Sequence, residues 1–437
     1  MSRDGLMTVC KIKNICMYTA QMEYVGGIES VIRCLLPIFS SHGVACWVAC
    51  ESGSPIGIPH NAFEVFSQRQ ADRRLQWQTF LKKHPTEIVI FHYVNSPSLP
   101  DEILYLKSIG VRCGIVIHSP FLCAFLCKGE ERLLQKYYEV AKLCDIVLTV
   151  SKLDAEWWSE FGIHAVHIQN PFVHPSKNVE MSRRNSEDGA VNLLWVGRHC
   201  EPKQPKAALA AFALASRTCP ELKLTMVGGT GRDNKALFRV AKKLKIDKKV
   251  SLIDFRQDIN DLWARADIHL LTSLTESFCL VIAEAKAHSV PTVMFDIPFL
   301  ELVESGKGVL IAPQNDIEGL SAAIVRVAKD GELRRKLAAE AKDSLAEFTD
   351  DAVWATWEKA FVSLDGCVPR RCRESLLPSQ VYMAWNNYCD RTLWAVRFAE
   401  EWESLFHCSF KPFANTMNWL FNKTRQAKRL VTKALSL

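Results

Sequence analysis

No run of roughly twenty apolar residues occurs in the 437-residue chain, so a membrane-crossing helix is not expected. The first twenty residues, MSRDGLMTVCKIKNICMYTA, also lack an apolar core of about 7–15 residues ahead of a small-residue cleavage site, so no secretory leader is expected. The 16 cysteines form no CxxC pair and no Cys/His ligand spacing, which excludes a zinc ribbon or finger. Thiols scattered in this way are expected to be free and mostly buried, in a reducing cytoplasm. A net charge of +6 is modest for this length and gives no reason to expect a nucleic-acid partner. A dinucleotide fingerprint is missing as well. GGTG at 228–231 does not have GxGxxG spacing, and no acidic residue closes a following strand at the expected place, so a tight strand-to-helix turn is the better reading.

What is present is an α/β pattern. Hydrophobic residues make up 48% and charged residues 23%, ordinary for a folded soluble protein, and the length suits two domains plus an extension. Ile15 to Thr19 is an apolar strand, followed by a polar loop ending in Gly26-Gly27. IESVIRCLLPIFSSHG then has helical spacing, and Val44 to Ala49 is the next strand. This βαβ order predicts a parallel sheet. The paired glycines suit either a close approach to a ligand or a structural turn. Further strands at Glu87 to Phe91, Cys113 to Ile117, Ile146 to Val150 and Ala165 to Ile168 show no polar alternation, as expected when helices cover both faces. Several end in polar residues at the edge where parallel sheets hold ligands: His92, His118-Ser119-Pro120 and Ser151-Lys152.

The second half opens with the strand Val191 to Val196, then Gly197-Arg198, a loop with Lys203 and a helix from about Pro205. Two cations past a strand end and ahead of a helix suit a phosphate or diphosphate, or simply a solvated loop. Strands are expected at Leu222 to Val227, Val250 to Ile253, Ile268 to Leu271, Thr292 to Phe295 and Val309 to Ile311, and helices at Asp316 to Lys329 and Leu333 to Phe348. Between two of these strands lie the polar loop Thr272 to Ser277 and a helix from about Cys279 to His288, which carry Glu276 and Glu284. Loop amides and a helix N-terminus make a natural anion site. Taken alone, the two carboxylates could equally be a general acid–base pair.

These features occur in the order and spacing of a known family. VGGIES at 25–30, VIHSP at 116–120, TVSKLDAEWW at 149–158, IQNPF at 168–172, VGRHCEPK at 196–203, TESFCLVIAEA at 275–285 and SVPTV at 289–293 together resemble the GT-B glycosyltransferases of the retaining, nucleotide-sugar-dependent family 4 type. The resemblance covers roughly residues 10–360. It implies two Rossmann-like domains facing across a cleft: residues 1–172 on the acceptor side, a linker at 173–190, and residues 191–345 binding the nucleotide sugar. A helix at 346–364 would return toward the first domain. It implies roles as well. Arg198 and Lys203 bind the donor diphosphate, and Ser277, Phe278 and Cys279 offer it backbone amides. Glu276 meets the sugar or its transition state, Glu284 accepts from the ribose hydroxyls, His118 reaches the transferred sugar, and Gly26 and Gly27 approach phosphate and acceptor. The implied enzyme is a hexosyltransferase that needs no metal or other cofactor. Its partners are a nucleotide-sugar donor and a glycan or lipid-linked acceptor, in cell-surface polysaccharide synthesis.

The chain departs from the family pattern in places. Cys279 stands where the motif usually has Gly, and Ser289 where Gly normally precedes the Val-Pro step. Asp296-Ile297-Pro298 replaces a common Gly-Gly pair. A non-catalytic GT-B subunit and a GT-B sugar-nucleotide epimerase are the competing readings; retention of Arg198, Lys203, Glu276 and Glu284 argues against the first. The extension at 365–437 is expected to be helical. It is rich in aromatics, carries no acidic residue after Glu403 and ends in NTMNWLFNKTRQAKRLVTKALSL. Such a segment suits either an anionic membrane surface, making the protein peripheral at the inner face of the cell membrane, or a helix packed on the domains with its cations in water.

Overall fold

The computed structural model describes residues 12–22, 26–67, 73–121, 123, 131–173, 189–297 and 300–366. Most of the expected linker and nearly all of the basic aromatic extension therefore lie outside the described residues. The chain forms two compact units. Of the described residues, one uses those up to 173 and 347–366, and the other is built on 189–346.

The first unit holds β1 (Asn14–Gln21), β2 (Ala45–Ser52), β3 (Phe63–Val65), β4 (Ile88–Phe91), β5 (Arg112–Ile117), β6 (Ile146–Thr149) and β7 (Ala165–His167) in one parallel sheet of order β3-β2-β1-β4-β5-β6-β7. Helices α1 (Gly27–Ser41), α2 (Arg73–Lys83), α3 (Leu99–Ser108), α4 (Glu131–Ala141) and α5 (Lys152–Glu160) supply the crossovers. The lack of alternation has its expected meaning: every residue of β4 and of β6 is buried. A buried ionic cluster sits in this unit. Arg73 pairs with Glu51 at 2.6 Å, while Glu102 accepts from the Trp77 indole at 2.7 Å and from the Ser98 hydroxyl at 2.6 Å.

The second unit holds β8 (Val191–Val196), β9 (Leu222–Gly229), β10 (Val250–Asp254), β11 (Ile268–Leu271), β12 (Thr292–Phe295) and β13 (Val309–Ala312), also all parallel, in order β10-β9-β8-β11-β12-β13. Helices α6 (Pro205–Thr218), α7 (Gly231–Lys243), α8 (Leu280–Ala287), α9 (Ile317–Lys329) and α10 (Gly331–Asp343) accompany it. Trp195, Phe212, Met226, Leu270, Phe295 and Ile324 meet in its core. The helix expected over Leu333 to Phe348 stops at Asp343, and the next residue, Ser344, accepts a 2.7 Å bond from the buried Lys286 ammonium. Lys286 is only 1% exposed, and burial pulls its pKa down to about 8.

Both sheets reverse their strand order once, between β1 and β4 and between β8 and β11. Open parallel sheets bind ligands beyond the strand ends at such points. Gly26-Gly27 and His92 flank the first reversal, and the loops carrying Lys203 and Glu276 flank the second.

After the second unit the chain re-enters the first as α11 (Asp350–Gly366). Trp357, fully buried, meets Phe39 of α1 edge-on at 5.1 Å, and Thr356 accepts from the Gln169 amide at 3.0 Å. Trp357→Ala should therefore cost about 3–5 kcal/mol, read as a lower urea midpoint. A midpoint equal to the wild type's would show that α11 is not held by this contact.

Candidate active site

In the second unit the site is built from two loops that bond to each other. Gly228, with φ at +113°, sits so close to Gly197 that a Cβ there would lie 2.5 Å from the Gly197 carbonyl oxygen. Only glycine allows that approach. The loop after β8 then makes one 3-10 turn, Glu201–Lys203, and Gln204 takes a left-handed conformation before α6 begins. Beyond β11, Leu274 donates its amide to the Pro202 carbonyl at 2.8 Å. The fully buried Thr272 hydroxyl accepts from the Trp195 indole at 3.0 Å and lies 2.9 Å from the Lys203 carbonyl and 3.0 Å from that of Gln204. Gln314 donates to the Ser273 carbonyl at 3.3 Å.

This knitting brings Lys203 Nζ to 2.5 Å from Glu276 Oε1, residues 73 apart in sequence. The carboxylate side chain is 10% exposed and the ammonium 25%. Burial pulls the Lys203 pKa down, but the Glu276 charge, Cys279 and the hydrogen bond to Glu276 together carry it above the ordinary value. Arg198, exposed, lies near enough for its charge to act on Lys203. One anion-shaped opportunity thus has two cations, one of them paired.

The next residues lead into α8. Phe278 is 2% exposed and Cys279 is 7% exposed, and no side chain caps the helix that begins at Leu280. Cys279 sits at φ +65° and Ser289 at φ +55°, both left-handed. The two places where glycine was expected are therefore places where the backbone favours glycine, and a Cβ there costs roughly 1–2 kcal/mol. Burial pushes the Cys279 thiol pKa far up, so it is no nucleophile. Glu284, half-buried on α8, is pushed up to about 7 by burial, against a smaller opposing pull from the Trp263 indole.

Sequence reasoning passed over other groups on this edge. His199, half-buried, stands 5.4 Å from the Trp195 ring, and burial pulls its pKa down while Asp233 and Asp254 push it up. Phe255, just past β10, is 51% exposed. Their signal was position alone, each following a strand. The expected tight turn at 228–231 is present: β9 runs to Gly229 and α7 starts at Gly231, with Thr230 and Asp233 closing the helix as a capping box. The Asp233 carboxylate thus already occupies the helix N-terminus where a dinucleotide phosphate would sit.

In the first unit, Gly26 caps α1 and Gly27 is its first residue. Glu29 is buried and folds back so that a Cβ on Gly26 would lie 2.5 Å from its Oε2. His118 lies beyond β5, and its Nε2 is 2.9 Å from Nδ1 of His92, the residue after β4. The rings stand 5.2 Å apart at 25°. Burial pulls both imidazoles toward the neutral form, His118 to about 4. The loop following His118 is pinned by a 2.7 Å bond from the Phe121 amide to Asp154. Asp154 is 3% exposed and pushed up to about 7 by burial. Ser151, read from the sequence as a ligand-edge residue, is the N-cap of α5, accepting from the Asp154 amide. Ile117, Phe121, Leu133, Tyr137 and Trp158 help line a small neighbouring apolar pocket. The structure thus gathers Arg198, Lys203, Glu276, Ser277, Phe278, Cys279 and Glu284 in the second unit and places Gly27 and His118 in the first. Among the described residues no three His, Cys, Asp or Glu side chains group as a metal site, and no helix is long and apolar enough to cross a membrane.

Two parallel α/β units with polar loops at their strand reversals match the GT-B fold. Residues 176–344 match the model of the glycosyl transferases group 1 family. The fold is shared with HepE of Anabaena, crystallised with UDP, at a TM-score of 0.65 and 17% identity over 80% of this chain and all of that one. An exopolysaccharide phosphotransferase of Streptomyces coelicolor is 33% identical over 240 residues, 54% of this chain and 24% of that protein. A phosphatidyl-myo-inositol mannosyltransferase of Mycolicibacterium smegmatis is 22% identical over 82% of this chain and 94% of its own length. The chain spans between 24% and 64% of the length of four of the curated relatives it matches.

The state of Glu284 is directly testable. Its folded pKa, about 7, lies above that of an unfolded glutamate, so its contribution to stability is greatest at low pH and is lost as pH rises through 7. Glu284→Gln lacks that loss. Its melting temperature relative to wild type should rise between pH 5 and pH 8, and a difference constant across that range would contradict the assignment.

Proposed function

We propose that the chain is a metal-independent, retaining glycosyltransferase that moves a hexose from a nucleotide sugar to a glycan or lipid-linked acceptor. The observation that carries this reading is the Lys203–Glu276 ion pair at the β8/β11 reversal, beside the uncapped N-terminus of α8. Glu276 neutralises Lys203. An arriving diphosphate competes for the ammonium and releases the carboxylate to meet sugar hydroxyls. As the anomeric C–O bond breaks, the departing diphosphate gains about one negative charge. Lys203, Arg198 and a helix end of roughly +0.5 charge can stabilise it there without metal. The acceptor oxygen forms the new bond to the anomeric carbon, and its proton leaves on the diphosphate. Glu284 accepts from the ribose hydroxyls, which favours its ionised form. The family resemblance gives His118 the task of meeting the transferred sugar. The group 1 match supports the reaction class, and the UDP held by HepE supports a nucleotide donor.

The names of the phosphatidyl-myo-inositol mannosyltransferase and the exopolysaccharide relative support a lipid-linked or cell-surface polysaccharide acceptor. Cell-surface synthesis would place the enzyme in the cytoplasm at the inner face of the membrane, with the cationic aromatic extension on anionic lipid.

The test is a calorimetric screen of UDP-, GDP- and dTDP-sugars followed by donor turnover. At least one should bind and be turned over. Lys203→Ala and Glu276→Ala should each lower kcat by about 100-fold or more with the fold intact. A chain that binds no sugar nucleotide, or variants that keep wild-type turnover, would end this reading. Binding without any turnover would instead favour a non-catalytic subunit.

A further inference from the structure

The mechanism above gives His92 no task, yet it is the most unusual group near His118. It is 2% exposed, its backbone amide is tied to the Tyr18 carbonyl at 2.8 Å, and its Nδ1 faces His118 Nε2 at 2.9 Å. At that distance one nitrogen must carry a hydrogen and the other must not. Its remaining nitrogen, Nε2, is buried without a hydrogen-bond partner among the described residues. A neutral imidazole has one N–H. If that hydrogen were on Nε2, it would be a buried donor with nothing to donate to. On Nδ1 it has an acceptor 2.9 Å away.

We propose that His92 is a positioning residue whose Nδ1–H donates to His118 Nε2, holding His118 as the neutral tautomer that carries its proton on Nδ1. The inference rests on the reading of His118 as the group that meets the transferred sugar, and it specifies what that group presents. His118 then carries its hydrogen on Nδ1, and its Nε2 is already engaged. It is thereby unable to act as a base through Nε2. Burial, which holds both rings neutral, agrees with this arrangement.

The tautomer can be read in the ligand-free protein from long-range proton–nitrogen correlations of the 15N-labelled imidazoles. The wild type should show His118 protonated on Nδ1 and bare on Nε2. His92→Leu removes the donor, and the His118 signals should move toward the Nε2-protonated form. His92→Asn places an amide nitrogen where the ring Nδ1 stood and should keep the wild-type pattern. A wild-type His118 protonated on Nε2, or a spectrum unmoved by His92→Leu, overturns the proposal. In turnover, His92→Leu should lower kcat about tenfold with little change in donor KM, as expected for one lost orienting hydrogen bond, and His92→Asn should restore most of it. Equal losses in the two variants would show a packing role only and also overturn it. A wild type with no turnover of any sugar nucleotide would sink the enzymatic reading instead, leaving the tautomer to be decided by the spectra.

Discussion

One buried hydroxyl, that of Thr272, joins the two loops on which the second unit's chemistry depends. It accepts from the Trp195 indole, rooted in β8, and lies against the carbonyls of Lys203 and Gln204. Together with the Leu274–Pro202 bond and the Lys203–Glu276 pair, it holds the Lys203 loop in register with the Glu276 loop. Because Thr272 is inaccessible to water, leaving any of these groups unpaired would cost about 1–3 kcal/mol. That cost keeps an ammonium and a carboxylate from distant parts of the chain in contact. Preorganisation of this kind is what electrostatic stabilisation of a leaving group requires.

The glycine departures give this edge a second character. Cys279 and Ser289 bracket α8 and hold its ends in conformations that suit glycine better. Strain of this kind persists only where surrounding structure over-determines it. Here the surroundings are the buried Phe278 side chain on one side and the buried strand β12 on the other.

Much of the fold was legible because its cause is local. Strands buried on both faces read as unbroken apolar runs, so β8, β11 and β12 stand where the sequence places them. The missed β3 is three residues long and half exposed, too short for any periodic signal. Within the site, sequence could point to Glu276 and Lys203 as individual residues of a motif, since each sits at a fixed offset from a strand end. It could not show that they meet, because their contact depends on the strand order β8-β11 and on Thr272. The His92–His118 contact was hidden for the same reason. The two residues follow neighbouring parallel strands, and 26 positions separate them. Similarly, Ser151 looks like His118 in sequence, both being polar residues after buried strands, and only the backbone shows that it caps a helix.

The path of α11 bears on how the molecule comes into being. The packing of Phe39 is completed by Trp354, Trp357 and Phe361, which are synthesised only after the whole of the second unit. During translation the first unit must therefore wait, with part of its apolar surface uncovered, while the second already has all of its strands. The later-encoded unit is free to finish first, reversing the usual N-to-C order in which domains fold.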